Sequence, residues 1–123
     1  MILVDSSIWI DHLRAGVPQL ADLLNAGGVL MHPFVVGELA CGNFENRKEV
    51  LSLLHALPAA PVATDEEVLF FIERRDLMGK GIGYVDAHLL AATAATGTGR
   101  LWTRDKRLDA VAGFIGLAFK MAS

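Results

Sequence analysis

Short runs of aliphatic and β-branched residues alternate with longer helical segments along all 123 residues, and this alternation restricts the possible folds most strongly. The runs predict five buried strands: Ile2–Val4, Val29–Met31, Pro61–Ala63, Arg100–Thr103 and Leu117–Phe119. Strands that alternate with helices predict an α/β fold whose mostly parallel sheet is covered on both faces. Since there is no repeat, low-complexity run or linker, we expect residues 1–123 to form a single domain.

The composition excludes several classes of protein. Hydrophobic residues make up 53% of the chain and its mean hydropathy is +0.41, which excludes intrinsic disorder. The single cysteine, Cys41, cannot form a disulfide within the chain. No segment offers about 20 uncharged apolar residues, and no basic leader precedes the first strand, so we expect a cytoplasmic protein outside the membrane. The net charge of −3 argues against a protein that coats nucleic acid.

Four carboxylates occupy unusual positions in the predicted elements. Asp5 and Asp105 each follow a strand, at the edge of the sheet where α/β proteins bind ligands. The alternative for each of them is a helix N-cap. Glu38 and Asp86 have mainly apolar neighbours three and four residues away, so the spacing predicts that both lie within apolar helix faces. No basic residue lies within helical reach of either one.

An edge at which strands and helices end can bring these four acids together. Two like charges 4 Å apart cost about 4 kcal/mol at an effective dielectric constant near 20, so a converged cluster requires protonation or a cation. Oxygen ligands without histidine or cysteine favour Mg²⁺ or Mn²⁺. Such a site suits metal-assisted hydrolysis of a phosphodiester, in which the metal orients and activates a water.

The remaining charges fit this interpretation. Setting the four acids aside leaves ten acidic residues against 11 basic ones, which is close to neutral. Basic residues cluster around Asp105, with Arg104 directly before it, and Arg14 ends the helix after Asp5. They are candidates for phosphate binding, and an ordinary solvated surface is the alternative for each.

Four motifs, in order and spanning nearly the whole chain, resemble those of PIN-domain ribonucleases, particularly the VapC toxins of bacterial toxin–antitoxin pairs. The motifs are Leu3 to Asp11 (LVDSSIWID), Val36 to Gly42 (VGELACG), Tyr84 to Ala92 (YVDAHLLAA) and Leu101 to Leu108 (LWTRDKRL). The resemblance implies a three-layer α/β/α sandwich with a central parallel sheet. It also implies cleavage of single-stranded RNA with Mg²⁺ or Mn²⁺.

The resemblance assigns roles to individual residues. Asp5 and Asp86 are expected to bind the metal, with Glu38 and Asp105 assisting. Asp109 is the alternative fourth acid, and Asp105 is preferred because it directly follows the strand.

For contacts with the substrate, the resemblance points to hydroxyl side chains, and we add the basic residues named above to them. Ser6 corresponds to a family position that usually holds a small hydroxyl residue near the metal or phosphate, and Thr103 is expected to act similarly. Arg104 and Arg14 complete the expected substrate-binding set.

The resemblance also implies partners. These are a second copy of the chain in a homodimer and a small VapB-like antitoxin that occludes the active site. DNA is expected to bind only through the complex with that antitoxin. The apolar composition agrees with a covered surface, and the helices around residues 9–24 and 51–57 are the candidate contacts.

Two other readings of the sequence stay open. A receiver domain shares the length and the α/β alternation, but it needs paired acids after the first strand, where this chain has Asp5 followed by Ser6 and Ser7. A catalytically silent PIN-like binding module would pair its acids with a partner's arginine, a role that does not require four converging carboxylates.

Overall fold

A three-stranded parallel sheet lies at the centre of the fold. The computed structural model describes residues 1–120, and its strands are β1 (Ile2–Val4), β2 (Val29–Leu30) and β3 (Arg100–Trp102). Their order is β2–β1–β3, so the first strand of the chain is the central one. Leu3 pairs with Leu30 on one side and with Leu101 on the other. All pairs are parallel, as the sequence predicts.

Helices flank this sheet and connect its strands. They are α1 (Ser6–Ala15), α2 (Pro18–Asn25), α3 (Pro33–Ala40), α4 (Arg47–His55), α5 (Asp65–Arg74), α6 (Tyr84–Ala95) and α7 (Lys106–Phe114). Proline occupies the first position of α2 and α3, where its missing N–H costs nothing. The predicted capping box at α5 is present: Thr64 Oγ1 accepts from the Glu67 N–H, and Glu67 Oε1 accepts from the Thr64 N–H.

Two predicted strands are wrong. Residues 61–63 form no strand, and the pairing lies earlier, as a single bridge between Met31 and Ala59. There the Met31 N–H donates to Pro58 O at 2.8 Å and the Ala60 N–H donates to Met31 O at 2.8 Å. Pro61 has no N–H, so it cannot donate to a further ladder bond. The predicted strand at 117–119 is likewise reduced to one bridge, between Leu101 and Ala118.

The core is built on the central strand and on the helices that cover it. Leu3 and Val4 are completely buried, as is Leu101 on the neighbouring strand. Leu89 and Leu90 of α6 are also completely buried in the same cluster. No helix within residues 1–120 is long and apolar enough to cross a membrane.

We expect Leu3→Ala to be strongly destabilising, because it leaves a cavity in the core between the sheet and the helices that cover it. The free energy of unfolding should fall by about 2–5 kcal/mol, measured by urea denaturation. Ile10→Ala is the control, since Ile10 is 45% exposed on α1. Equal losses from both substitutions would contradict a core centred on β1.

Candidate active site

Asp5 lies directly beyond the central strand and is nearly buried. Its backbone N–H donates to Trp102 O at 2.9 Å, which continues the pairing of β1 with β3. The side chain does not cap α1, although Asp5 occupies the N-cap position. Instead its Oδ2 accepts hydrogen bonds from Ser7 Oγ and Thr103 Oγ1, each at 2.8 Å. The N-cap alternative for the Asp5 carboxylate is therefore wrong.

Thr103 links the two acids that follow neighbouring strands. Its hydroxyl donates to Asp5 and accepts from the Asp105 N–H at 3.0 Å. Ser7, which the sequence analysis did not place at the site, completes this network: its Oγ accepts from the Arg104 N–H at 3.0 Å and lies 3.4 Å from Thr103 Oγ1. The signal for Ser7 was its position two residues after Asp5, on the same first turn of α1.

Glu38 does not lie where its spacing predicts. The expectation of an apolar helix face is wrong, because Glu38 is exposed and α3 buries Val35, Val36 and Leu39 instead. The misleading neighbour was Phe34, which is itself 36% exposed. Ser6, nearly buried at the start of α1, donates its hydroxyl to Glu38 Oε2 at 3.3 Å.

Asp86 lies in the first turn of α6 and is half-buried, at the margin of the apolar face formed by Leu89 and Leu90. Its Oδ2 accepts from the Gly83 N–H at 3.2 Å, which caps the start of the helix. The position of this carboxylate thus depends on how the first turn of α6 is held.

Asp105 is exposed and does cap a helix, as the alternative interpretation had it. Its Oδ1 accepts from the backbone N–H groups of Arg107 and Leu108, at 2.9 and 3.1 Å. The cap uses one oxygen of the carboxylate and leaves the other for a second role.

Charge interactions link the four carboxylates through Asp86, which lies near enough to the other three to interact with their charges. Although the Glu38 residue as a whole is exposed, partial burial of its carboxyl group is the main cause that raises its pKa. The charges of Asp5 and Asp86 also raise this pKa, while the Ser6 hydroxyl lowers it. Burial also leads in raising the pKa of Asp86; the Gly83 N–H lowers it, and the charges of Asp5 and Asp105 raise it further. Among residues 1–120, no lysine or arginine forms an ion pair with any of these four.

Carboxylate oxygens are the ligands that a hard cation prefers, although these four groups do not form a complete coordination shell. Within the described part of the chain, no three His, Cys, Asp or Glu side chains form a ready-made metal-binding group. Each of the four carboxylates has one oxygen held by a hydroxyl or backbone N–H, and its other oxygen accepts no hydrogen bond within residues 1–120. Oriented carboxylates that repel one another and lack a basic partner fit Mg²⁺ or Mn²⁺.

The two arginines differ in their surroundings. The Arg104 guanidinium pairs with Asp11 of α1, and both side chains are about half exposed. Arg14 is exposed and lines a groove of about 330 Å³ together with Glu38, Leu39 and Phe44. Arg14 therefore shares this groove with one of the four acids, Glu38, whereas Arg104 already has an acidic partner.

Comparisons with known proteins agree with this geometry. Residues 2–114 match the PIN domain family. Ribonuclease VapC32 of Mycobacterium tuberculosis, from two strains, is 50% identical over 118 residues, which cover 96% of this chain and 95% of that protein. The crystal structure of PAE2754 from Pyrobaculum aerophilum superposes with a TM-score of 0.61, covering 89% of this chain and 83% of the other. At 17% identity, that likeness concerns the fold alone.

The family match spans all four motifs, from the first strand to the last helix. It excludes the receiver-domain alternative. The chain belongs to the PIN-domain family and is a homologue of the VapC ribonuclease toxins.

Proposed function

We propose that this ribonuclease cleaves single-stranded RNA at a site where Asp5, Glu38, Asp86 and Asp105 bind Mg²⁺, with Mn²⁺ as a substitute. The proposal rests on the burial of the Asp5 carboxylate without a basic partner. This carboxylate is only 7% exposed, caps no helix and pairs with no basic side chain within residues 1–120. Burying an uncompensated charge is costly, and a bound cation would offset that cost.

When bound, a divalent ion supplies positive charge to the phosphodiester and lowers the pKa of a water molecule. The chain's own residues orient the groups around it. Ser7 and Thr103 fix the Asp5 carboxylate through Oδ2, and Ser6 holds Glu38. Asp105 is favoured over Asp109 as the fourth acid, because the charge of Asp105 is the one that reaches Asp86.

The substrate side of the site draws on hydroxyls and arginines. Ser6 and Thr103 lie beside the acids, and each hydroxyl would donate to a phosphate oxygen by turning from the carboxylate that it now contacts. Arg14 stands in the groove beside Glu38 and would attract the RNA backbone. Arg104 would exchange its ion pair with Asp11 for one with a phosphate, which costs little for exposed groups.

The partners we propose are a second copy of the chain and a VapB-like antitoxin that covers the acidic site and mediates any binding to DNA. We also propose a cytoplasmic location. Exposed apolar side chains support a covered surface: Ile10 on α1 is 45% exposed and Leu53 on α4 is 62% exposed. Both belong to the segments that the sequence singles out.

Removing one acid should abolish cleavage. Asp5→Asn and Asp86→Asn should each lower the rate of RNA cleavage by at least about 100-fold, because the loss of metal-assisted charge stabilisation amounts to several kcal/mol. The rate is measured on a fluorescent single-stranded oligonucleotide. Asp22→Asn, an exposed acid on α2, is the matched control. Wild-type rates in both site variants would overturn the proposal.

Activity should depend on a divalent ion. EDTA should stop cleavage, and added Mg²⁺ or Mn²⁺ should restore it, because the carboxylates alone offer no positive charge to the phosphate. Cleavage by purified protein in excess EDTA, unchanged by Asp86→Asn, would point to a different mechanism.

The metal-free stability should depend on pH through Asp86. Its folded-state pKa is raised above the ordinary 3.8, so its ionised form destabilises the fold and stability returns as pH falls through the raised value. In EDTA at pH 7, Asp86→Asn should therefore melt at a higher temperature than the wild type. That advantage should shrink as the pH is lowered towards 4. An Asp86→Asn variant that melts below the wild type at pH 7 would contradict an ionised Asp86 that burial and neighbouring charges destabilise.

A further inference from the structure

One exposed carboxylate of α5 holds the first turn of α6. Asp65 Oδ1 accepts from the Tyr84 hydroxyl at 2.6 Å and lies 3.2 Å from His88 Nε2. These two partners stand two residues before and two residues after Asp86. One carboxylate oxygen of Asp65 thus contacts side chains on both sides of Asp86, an acid of the proposed metal site.

The first turn of α6 needs such a contact. The helix begins after a loop in which Gly79 and Gly81 both have positive φ, at 71° and 82°. The start of a helix lacks partners for its first N–H groups, and here the Asp86 carboxylate itself supplies one of them through Gly83. Movement of this turn therefore moves the Asp86 carboxylate directly.

Asp65 is well anchored as the other end of this contact. It is the first residue of α5, directly after the Thr64 capping box. Below it, Val68 of α5 packs against Ala87 and Ala91 of α6, and all three are buried. Buried apolar contacts thus hold α5 against α6, and Asp65 adds a polar contact at the end of this interface nearest Asp86.

The residues around Asp65 also contact α3, the helix that carries Glu38. The His88 ring packs edge to face between Phe34 and Tyr84, with centroid distances of 4.8 and 4.7 Å. Phe34 lies one turn before Glu38 on α3. The cluster of Asp65, Tyr84, His88 and Phe34 therefore spans the starts of both helices, α3 and α6, that supply acids to the site.

A direct catalytic role does not fit these residues. The His88 side chain is only 4% exposed and is covered by two aromatic rings, so it cannot meet a substrate. The Asp65 side chain is 80% exposed and bonds to Tyr84 and His88, not to the four acids. The cluster acts through the backbone that it holds.

We propose that Asp65 is a positioning residue, which holds Tyr84 and His88 and thereby sets the placement of Asp86 and the affinity of the acidic site for its divalent ion. The inference rests on the proposed function. Losing an outer partner of a metal ligand typically weakens metal binding by about 10–100-fold. Because Asp65 acts through the helix backbone, the effect should lie at the lower end of that range.

The test compares Mn²⁺ binding, measured by isothermal titration calorimetry, in four variants of the full chain, of which Tyr84→Phe is described below. Asp65→Ala should weaken Mn²⁺ binding by about tenfold. Glu66→Ala is the matched control, since it removes the same charge one residue later and Glu66 makes no side-chain hydrogen bond within residues 1–120. Asp65→Asn keeps an oxygen for Tyr84 and His88, so it should bind Mn²⁺ within about threefold of the wild type.

Kinetics separates positioning from loss of structure. For Asp65→Ala, kcat should return close to the wild-type value at saturating Mn²⁺, with the KM for RNA unchanged. Tyr84→Phe removes one hydroxyl from an exposed side chain and leaves no cavity, so it provides a folded variant that should also weaken Mn²⁺ binding.

The inference is overturned if Asp65→Ala and Tyr84→Phe bind Mn²⁺ as Glu66→Ala does while the wild type binds Mn²⁺ and cleaves RNA. It is also overturned if Asp65→Asn loses as much affinity as Asp65→Ala, because charge alone would then explain the effect. A wild type that binds no Mn²⁺ would instead refute the proposed function.

Discussion

The parallel pairing of β1 with β3 is the contact on which the rest of the structure depends. It sets Leu3 against Leu101 and Val4 against Trp102, and it continues through the bond from the Asp5 N–H to Trp102 O. Because parallel strands end at the same edge of a sheet, the residues that follow them meet there. The bond between Thr103 and Asp5 joins positions 98 residues apart in the chain. The acidic site is therefore a product of strand register.

The site brings carboxylates near one another without a lysine or arginine partner among residues 1–120. Burial first, and then the charges of neighbouring acids, raise the pKa values of Glu38 and Asp86. Hydroxyls and backbone N–H groups, not basic side chains, hold the two carboxylates in place. A lysine or arginine in those positions would neutralise the acids and compete with a cation. Holding them with neutral donors keeps their negative charge available, at a cost in stability that the core has to offset.

Strand and helix positions were predictable where local chemistry decides them, and less so where long-range contacts decide. The buried run at Ile2–Val4 and the Thr64 capping box identify themselves in the sequence. The run at 61–63 looked like a strand, yet Met31 pairs nearer Ala59, a choice set by tertiary packing. The apolar neighbours of Glu38 in the sequence suggest a buried helix face, but one of them, Phe34, is itself partly exposed, and so is Glu38. Asp65 was not predictable because its partners Tyr84 and His88 lie on another helix, and for Ser7 the sequence offers only the spacing from Asp5.

The bond between Thr103 and Asp5 also has a consequence for synthesis of the protein on the ribosome. The strand that carries Asp5 is made first, and its partner β3 follows only in the last quarter of the chain. Long-range strand pairing forms late, after the intervening loop has closed. An incomplete chain therefore carries the first three acidic motifs with only one of the two hydroxyls that orient Asp5, that of Ser7. Until β3 and the residues after it are made, the acidic site therefore lacks both Thr103 and Asp105.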